Sequence, residues 1–224
     1  MQRLFEGNIY DMKPLENGFV FVYCNEDENG QLQGAYNMIS FETGRMSPVT
    51  KSNYLLAKFG LRYKIYKKKV KNVFESKVLH LPEDRVFILD SDGTVTLLDT
   101  DGSILWTSCL LYKDTCPTDI AIYKDSLWAC FKEYNCLIRF NLNTMHEELR
   151  IGGGETSPFD KPVQLTATED GIVICNAGSN SIVKLDPTNF SLTQMYSFRE
   201  PLRRYLKVQS REFAALESGL YIIF

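Results

Sequence analysis

One short phrase recurs five times along this chain and constrains its fold more than any other feature. It reads Glu16-Asn17-Gly18-Phe19-Val20-Phe21, then Glu83-Asp84-Arg85-Val86-Phe87-Ile88, then Lys124-Asp125-Ser126-Leu127-Trp128-Ala129. The last two copies are Glu169-Asp170-Gly171-Ile172-Val173-Ile174 and Glu217-Ser218-Gly219-Leu220-Tyr221-Ile222. Each copy places a charged residue and a turn residue before a β-rich apolar run. With residues 18, 85, 126, 171 and 219 as anchors, the last three intervals are each roughly 40–50 residues, the length of a four-stranded propeller blade. Turn chemistry follows the middle anchors at a near-constant distance, in Leu98-Asp99, Phe140-Asn141 and Leu185-Asp186. Helix-period patterns are nearly absent, and Gly, Asp and Asn punctuate the apolar runs.

The expected fold is therefore all-β: a β-propeller of about five blades of antiparallel strands, in one domain spanning 1–224. The blades are read at approximately 9–60, 74–112, 117–151, 162–198, and 205–224 together with 1–7. The phrase at Gly219 is counted as the second strand of the fifth blade, so that blade comes out one strand short. Its partner is the N-terminal segment 2–6, which would pair with 220–224 and close the ring, removing an exposed sheet edge. The first interval is longer than the rest and implies two insertions, within 25–34 and 54–71.

Composition narrows the function classes. A hydrophobic fraction of 44% with 24% charged residues is ordinary for a soluble globular chain. The formal net charge of −3 argues against a bulk nucleic-acid binder. The N-terminus shows no signal-peptide pattern, and no apolar run is long enough to span a membrane. Six cysteines without a C-x-x-C pair are read as reduced thiols of a cytoplasmic protein, with a Cys130–Cys136 bridge as the alternative. Two histidines, His80 and His146, are too few for a three-histidine zinc site. No Gly-x-Ser-x-Gly elbow occurs, and Gly152-Gly153-Gly154 lacks the lysine and helix of a phosphate loop.

Part of the chain resembles known propeller repeats. Ile151-Gly152-Gly153, Phe159, Pro162-Val163, Asp170-Gly171-Ile172-Val173, Gly178-Ser179-Asn180 and Asp186-Pro187 resemble an NHL-type repeat. Asp92-Gly93, Leu98-Asp99, Gly102 and Trp106 look like the broader quinoprotein-type repeat. Trp106 is not repeated, so the resemblance implies no quinone, and no cofactor is expected. Families of this kind are commonly interaction platforms, and a minority are hydrolases or lyases.

Strand parity places the blade-to-blade links and the second-to-third turns at one end of the ring. Both insertions are assigned to that loop face, where binding residues are expected. The candidates are Lys64, Lys67, Lys68, Lys69 and Lys71, which could meet an acidic partner, then Tyr134, Lys161, Asn176 and Asn180, and Arg199, Arg203 and Arg204, which could hold a carboxylate or phosphate. The expected function is non-enzymatic recognition of a protein or peptide by a monomer, without membrane or nucleic acid. The alternative is a metal-dependent hydrolase or lyase acting on a sugar-derived or lactone substrate at the axis, where Asp90, Asp119, Asn176 and Asn180 supply oxygens. No catalytic residue and no metal ligand is assigned.

Overall fold

In the computed structural model, which describes residues 1–26, 32–66, 69 and 76–224, the chain forms five four-stranded antiparallel sheets. After β1 (Gln2–Glu6), the first blade holds β2 (Ile9–Leu15), β3 (Gly18–Glu26), β4 (Leu32–Ser40) and the short β5 (Met46–Pro48). Two helices follow, α1 (Lys51–Phe59) and α2 (Tyr63–Tyr66). The second blade is β6 (Lys77–His80), β7 (Val86–Leu89), β8 (Thr94–Leu98) and β9 (Ile104–Cys109). The third is β10 (Asp119–Tyr123), β11 (Ser126–Phe131), β12 (Cys136–Asn141) and β13 (Glu147–Gly152). The fourth is β14 (Pro162–Thr168), β15 (Gly171–Asn176), β16 (Ser181–Leu185) and β17 (Leu192–Ser197). The fifth is β18 (Leu202–Val208), β19 (Arg211–Leu216), β20 (Gly219–Ile223) and, as its outermost strand, β1.

The ring closure read from the sequence is present: Gln2 pairs with Ile222 and Glu6 with Gly219. The strand count of the last blade needs correction. That blade is complete, and the phrase at Gly219 opens its third strand rather than its second. The reason is local geometry. At Gly18, Gly171 and Gly219 a Cβ would meet a carbonyl oxygen of the next strand at 2.1, 2.4 and 2.2 Å, from Ile39, Leu185 and Phe5 respectively. All three glycines have φ near +150°. In its three glycine copies the phrase therefore marks a strand that starts beneath a close backbone approach, whichever strand of the blade it is. The turn at 217–218 consequently lies on the loop face, not on the opposite one.

Each seam between blades is an apolar cluster. Blades two and three share Phe87, Leu97, Leu127 and Phe131; three and four share Trp128, Leu137, Leu165 and Ile174. Blades four and five share Val173, Ile182, Tyr205 and Leu216. Five and one are joined by Phe19, Phe21, Leu206 and Phe213, with Phe19 and Phe213 ring centroids 4.5 Å apart. The remaining seam is different. Between blades one and two, α1 supplies the core: Tyr54, Leu55 and Phe59 pack with Leu15, Val20, Val78, Val86 and Ile88.

This helix corrects the expectation of an insertion at 54–71 lying on the loop face. Thr50 caps it in a reciprocal capping box with Asn53, and Gly60 ends it at φ +56°. Burying Tyr54, Leu55 and Phe59 contributes about 1.5–3 kcal/mol per side chain, which seats the helix in the seam. Its far end reaches the opposite face: Arg62 donates to the Thr100 carbonyl and pairs with Asp84 at 3.3 Å, and Ile65 packs under Gly102. The other insertion is a lengthened β3–β4 hairpin, paired out to Glu26 and Leu32.

Replacing Gly219 by alanine should cost about 1–3 kcal/mol or more, because the new methyl group meets the Phe5 carbonyl and β1 must move. Gly154→Ala, with open space at its Cβ, should change stability by less than about 0.5 kcal/mol. Urea denaturation of both variants checks the contrast.

A candidate ligand site at the propeller axis

The first strand of every blade faces the axis, and together they enclose a cavity of about 670 Å³. Its wall carries Asp11 and Lys13 from β2, Lys77 and His80 from β6, Asp119 from β10, Gln164 from β14 and Arg204 from β18. Val22, Tyr36 and Lys58 also line it, so the space extends from the axis outward beneath α1, between blades one and two.

The carboxylates in this wall are engaged. Asp119 accepts from Lys77 Nζ at 2.5 Å and from the Leu165 amide at 2.7 Å. Asp11 pairs with Arg204 at 3.3 Å and with Lys13 at 3.5 Å. Asp90 accepts from the buried Ser76 hydroxyl at 2.6 Å. Gln164 ties blades together, donating to the Met12 carbonyl at 3.3 Å and accepting from the Tyr205 amide at 3.1 Å.

The lysines differ in how they are answered. Lys77 has Asp119. Lys13 has Asp11 and donates to the Ser76 carbonyl at 3.0 Å, bridging the seam. Lys58 donates to the Pro14 carbonyl at 3.2 Å, and among the described residues no carboxylate pairs with it. Burial, then the ammonium groups of Lys77 and Lys13, pull Lys58 down from 10.5 to about 8. Burial lowers Lys13 too, against the pull of Asp11. His80 is lowered by burial and by Lys58, although its ring hydrogen-bonds the Lys58 backbone.

Of the described residues expected at the site, only Arg204 lines this cavity. Arg203 lies nearby on the loop face, 3.4 Å from Asn8 Oδ1 and over the Tyr10 ring. Asn176 is 2% exposed at the end of β15, and among the described residues its Oδ1 accepts no hydrogen bond. Asn180 accepts from the Leu202 amide at 3.0 Å, a capping role between blades four and five. Lys161 donates its amide to Asn135 Oδ1 at 2.7 Å. Tyr134 stacks edge-on with Tyr112, beneath the Lys113 ammonium. Arg199 is exposed at a bend. Lys64 and Lys69 are exposed beyond α1; Lys69 lies close enough to Asp101 to help lower its carboxyl, a shift caused chiefly by hydrogen bonds from Ser103. The Asp101 turn belongs to the face opposite the loops, so these two lysines are not part of the loop-face cluster expected. Lys67, Lys68 and Lys71 lie outside the described residues. Of the four oxygen donors considered for a cation, Asp90 and Asp119 reach the cavity wall, and Asn176 and Asn180 do not. Among the described residues, no group of three His, Cys, Asp or Glu side chains is placed to hold a metal ion.

Sequence reading missed Lys13, Lys58 and Lys77. The available signal was positional: Lys13 and Lys77 sit on innermost strands. Lys58 needed the helix to be recognised first.

No family model matches the chain, and no curated protein is significantly similar to it in sequence. Solved structures do match. A virginiamycin B lyase from Staphylococcus aureus is 12% identical, with 96% of this chain and 81% of that one aligned at a TM-score of 0.52. The glutaminyl cyclase of Myxococcus xanthus is also 12% identical, over 100% of this chain and 97% of that one, at a TM-score of 0.52. At such identity the likeness shows the propeller fold alone.

Two outcomes follow. Asp119→Ala strands Lys77 and the Leu165 amide together and should cost about 3–5 kcal/mol, with Asp119→Asn costing less, in urea denaturation. Lys58→Met should stabilise the fold near pH 7 by about 1–3 kcal/mol, because it removes a buried ammonium. The sign follows from proton counts. Between about 8 and 10.5 the unfolded chain holds a proton on Lys58 that the folded chain has lost, so the wild-type penalty fades as pH rises. The raised thiols of Cys136 and Cys175 act oppositely above their ordinary 9.0, so the readout is the wild-type minus variant difference across that range.

Proposed function

We propose that this chain is a binding propeller whose ligand is a small anion, seated at the axis rather than on the loops. One observation carries the reading: apart from Lys207, the cavity wall holds four lysine and arginine cations, Lys13, Lys58, Lys77 and Arg204, against three carboxylates, Asp11, Asp90 and Asp119. The further lining cation, Lys207, is answered outside the cavity wall by Glu212 at 3.2 Å. Asp11 and Asp119 pair with three of these cations and Asp90 accepts from the Ser76 hydroxyl, so the four cations outnumber the carboxylates and the sum is positive. A concave, partly apolar space with convergent polar groups suits a small molecule, and its low-dielectric wall strengthens attraction for negative charge.

The same donors disfavour a cation at this place, because the oxygens it would need are occupied by ammonium and amide hydrogens. The reading keeps the binding class expected from the repeats and moves the seat from the loop face to the axis. The NHL-type likeness of the fourth blade belongs to the proposal as well, resting on Asp170-Gly171-Ile172-Val173 and Gly178-Ser179-Asn180. Six free cysteines support a reducing compartment such as the cytoplasm. No helix among the described residues is long and apolar enough to cross a membrane.

Isothermal titration with inorganic phosphate and pyruvate, against neutral glycerol, tests the proposal. The anions should bind and glycerol should not, Lys13→Met should weaken the anions at least about tenfold, and Lys64→Ala should leave them unchanged. Equal binding of glycerol, or unchanged anion affinity in a folded Lys13→Met variant, overturns it.

A further inference from the structure

Lys58 stands apart from every other cation in the cavity. It comes from a helix rather than a blade, and that helix replaces direct packing between two sheets. Lys58 lines the cavity, and among the described residues its amine donates to one acceptor, the Pro14 carbonyl. The titratable and charged groups lining the cavity with it are Asp11 and Lys13 from β2, Tyr36 from β4, Lys77 and His80 from β6, Asp90, Asp119 from β10, and Arg204 and Lys207 from β18. The three acids among them are engaged by Arg204, Ser76 and Lys77. A half-buried ammonium without a carboxylate among the described residues, beside two other ammonium groups, is an arrangement in which a lysine gives up its proton readily.

We propose that Lys58 is a covalent capture residue, forming an imine with the carbonyl carbon of a small 2-oxo acid whose carboxylate rests on the Lys13 and Lys77 ammonium groups. This rests on the anion reading above and names the ligand class of that site. The lone pair of neutral Lys58 Nζ attacks the carbonyl carbon, and the carbon–oxygen π pair moves to oxygen. The two amine hydrogens leave with that oxygen as water, and the imine nitrogen takes back from solvent the proton that the Lys58 ammonium released on becoming neutral, so no net proton is gained or lost. No oxidant or reductant is consumed. Two features of the site suit the step. With a value of about 8, roughly a tenth of Lys58 is the free amine at pH 7, about 300-fold more than for a lysine at 10.5. The apolar side of the wall, Val22, Val78 and Leu79, limits the water that would hydrolyse the product.

The test uses the native chain with pyruvate and cyanoborohydride at pH 8, followed by peptide mass mapping. The reduced adduct should sit on Lys58 at least about tenfold above the exposed Lys64. Lys58→Arg should abolish the adduct at that position while retaining pyruvate binding by calorimetry. Label spread evenly over exposed lysines, or confined to Lys13 or Lys77, overturns the inference. Saturable pyruvate binding without a Lys58 adduct overturns the imine and leaves the anion reading standing. Neither binding nor adduct overturns both. Should Lys58→Arg fail to fold, the adduct map of the native chain still decides.

Discussion

The structure depends on sealing five seams between radially arranged sheets, one of them with a helix. Four seams are sheet against sheet, where alternating strand residues from two blades meet. Between the first and second blades a helix stands in the seam instead. Helix α1 takes up the volume with Tyr54, Leu55 and Phe59. Close packing leaves few ways to fill such a wedge, and a helix capped at both ends is one of them. The cost is that the helix must bring its own polar residues inward, and Lys58 is the one that reaches the cavity.

That placement sets the electrostatics of the axis. Without it, and with Lys207 answered by Glu212, the lining charges would be close to balanced: Lys13, Lys77 and Arg204 against Asp11, Asp90 and Asp119. Lys58 tips the balance toward positive and has no carboxylate among the described residues to settle against. The seam that completes the ring and the charge that distinguishes its cavity thus come from the same nine-residue element. Changes that weaken α1 should therefore reach the cavity even when they touch none of its lining.

Much of the architecture was legible in the sequence, for reasons that can be located. The repeated phrase reports a backbone constraint, a strand starting beneath a neighbouring carbonyl, and Gly18, Gly171 and Gly219 satisfy it in one way. Because the constraint is local, it cannot tell the second strand of a blade from the third, which is why the last blade was read one strand short. The helix was hidden for another reason. Its buried positions, Tyr54, Leu55 and Phe59, are flanked by Leu56, Leu61 and Ile65, so the stripe does not stand out as periodic. The Thr50–Asn53 capping box was the clearer sign. Among the described candidate residues only Arg204 lines the cavity, because loop chemistry such as Lys161 and Asn180 serves to cap and connect blades here, and the cavity's charges sit on inner strands and on α1, which sequence patterns read simply as core.

The most direct test of the account is a crystal structure of the chain soaked in selenate, with anomalous scattering from selenium. The account predicts a peak inside the axial cavity within hydrogen-bonding distance of Lys58 and of Lys13 or Lys77, beneath an intact α1. Peaks confined to exposed lysines such as Lys64, or an α1 lying outside the seam between the first two blades, would contradict it.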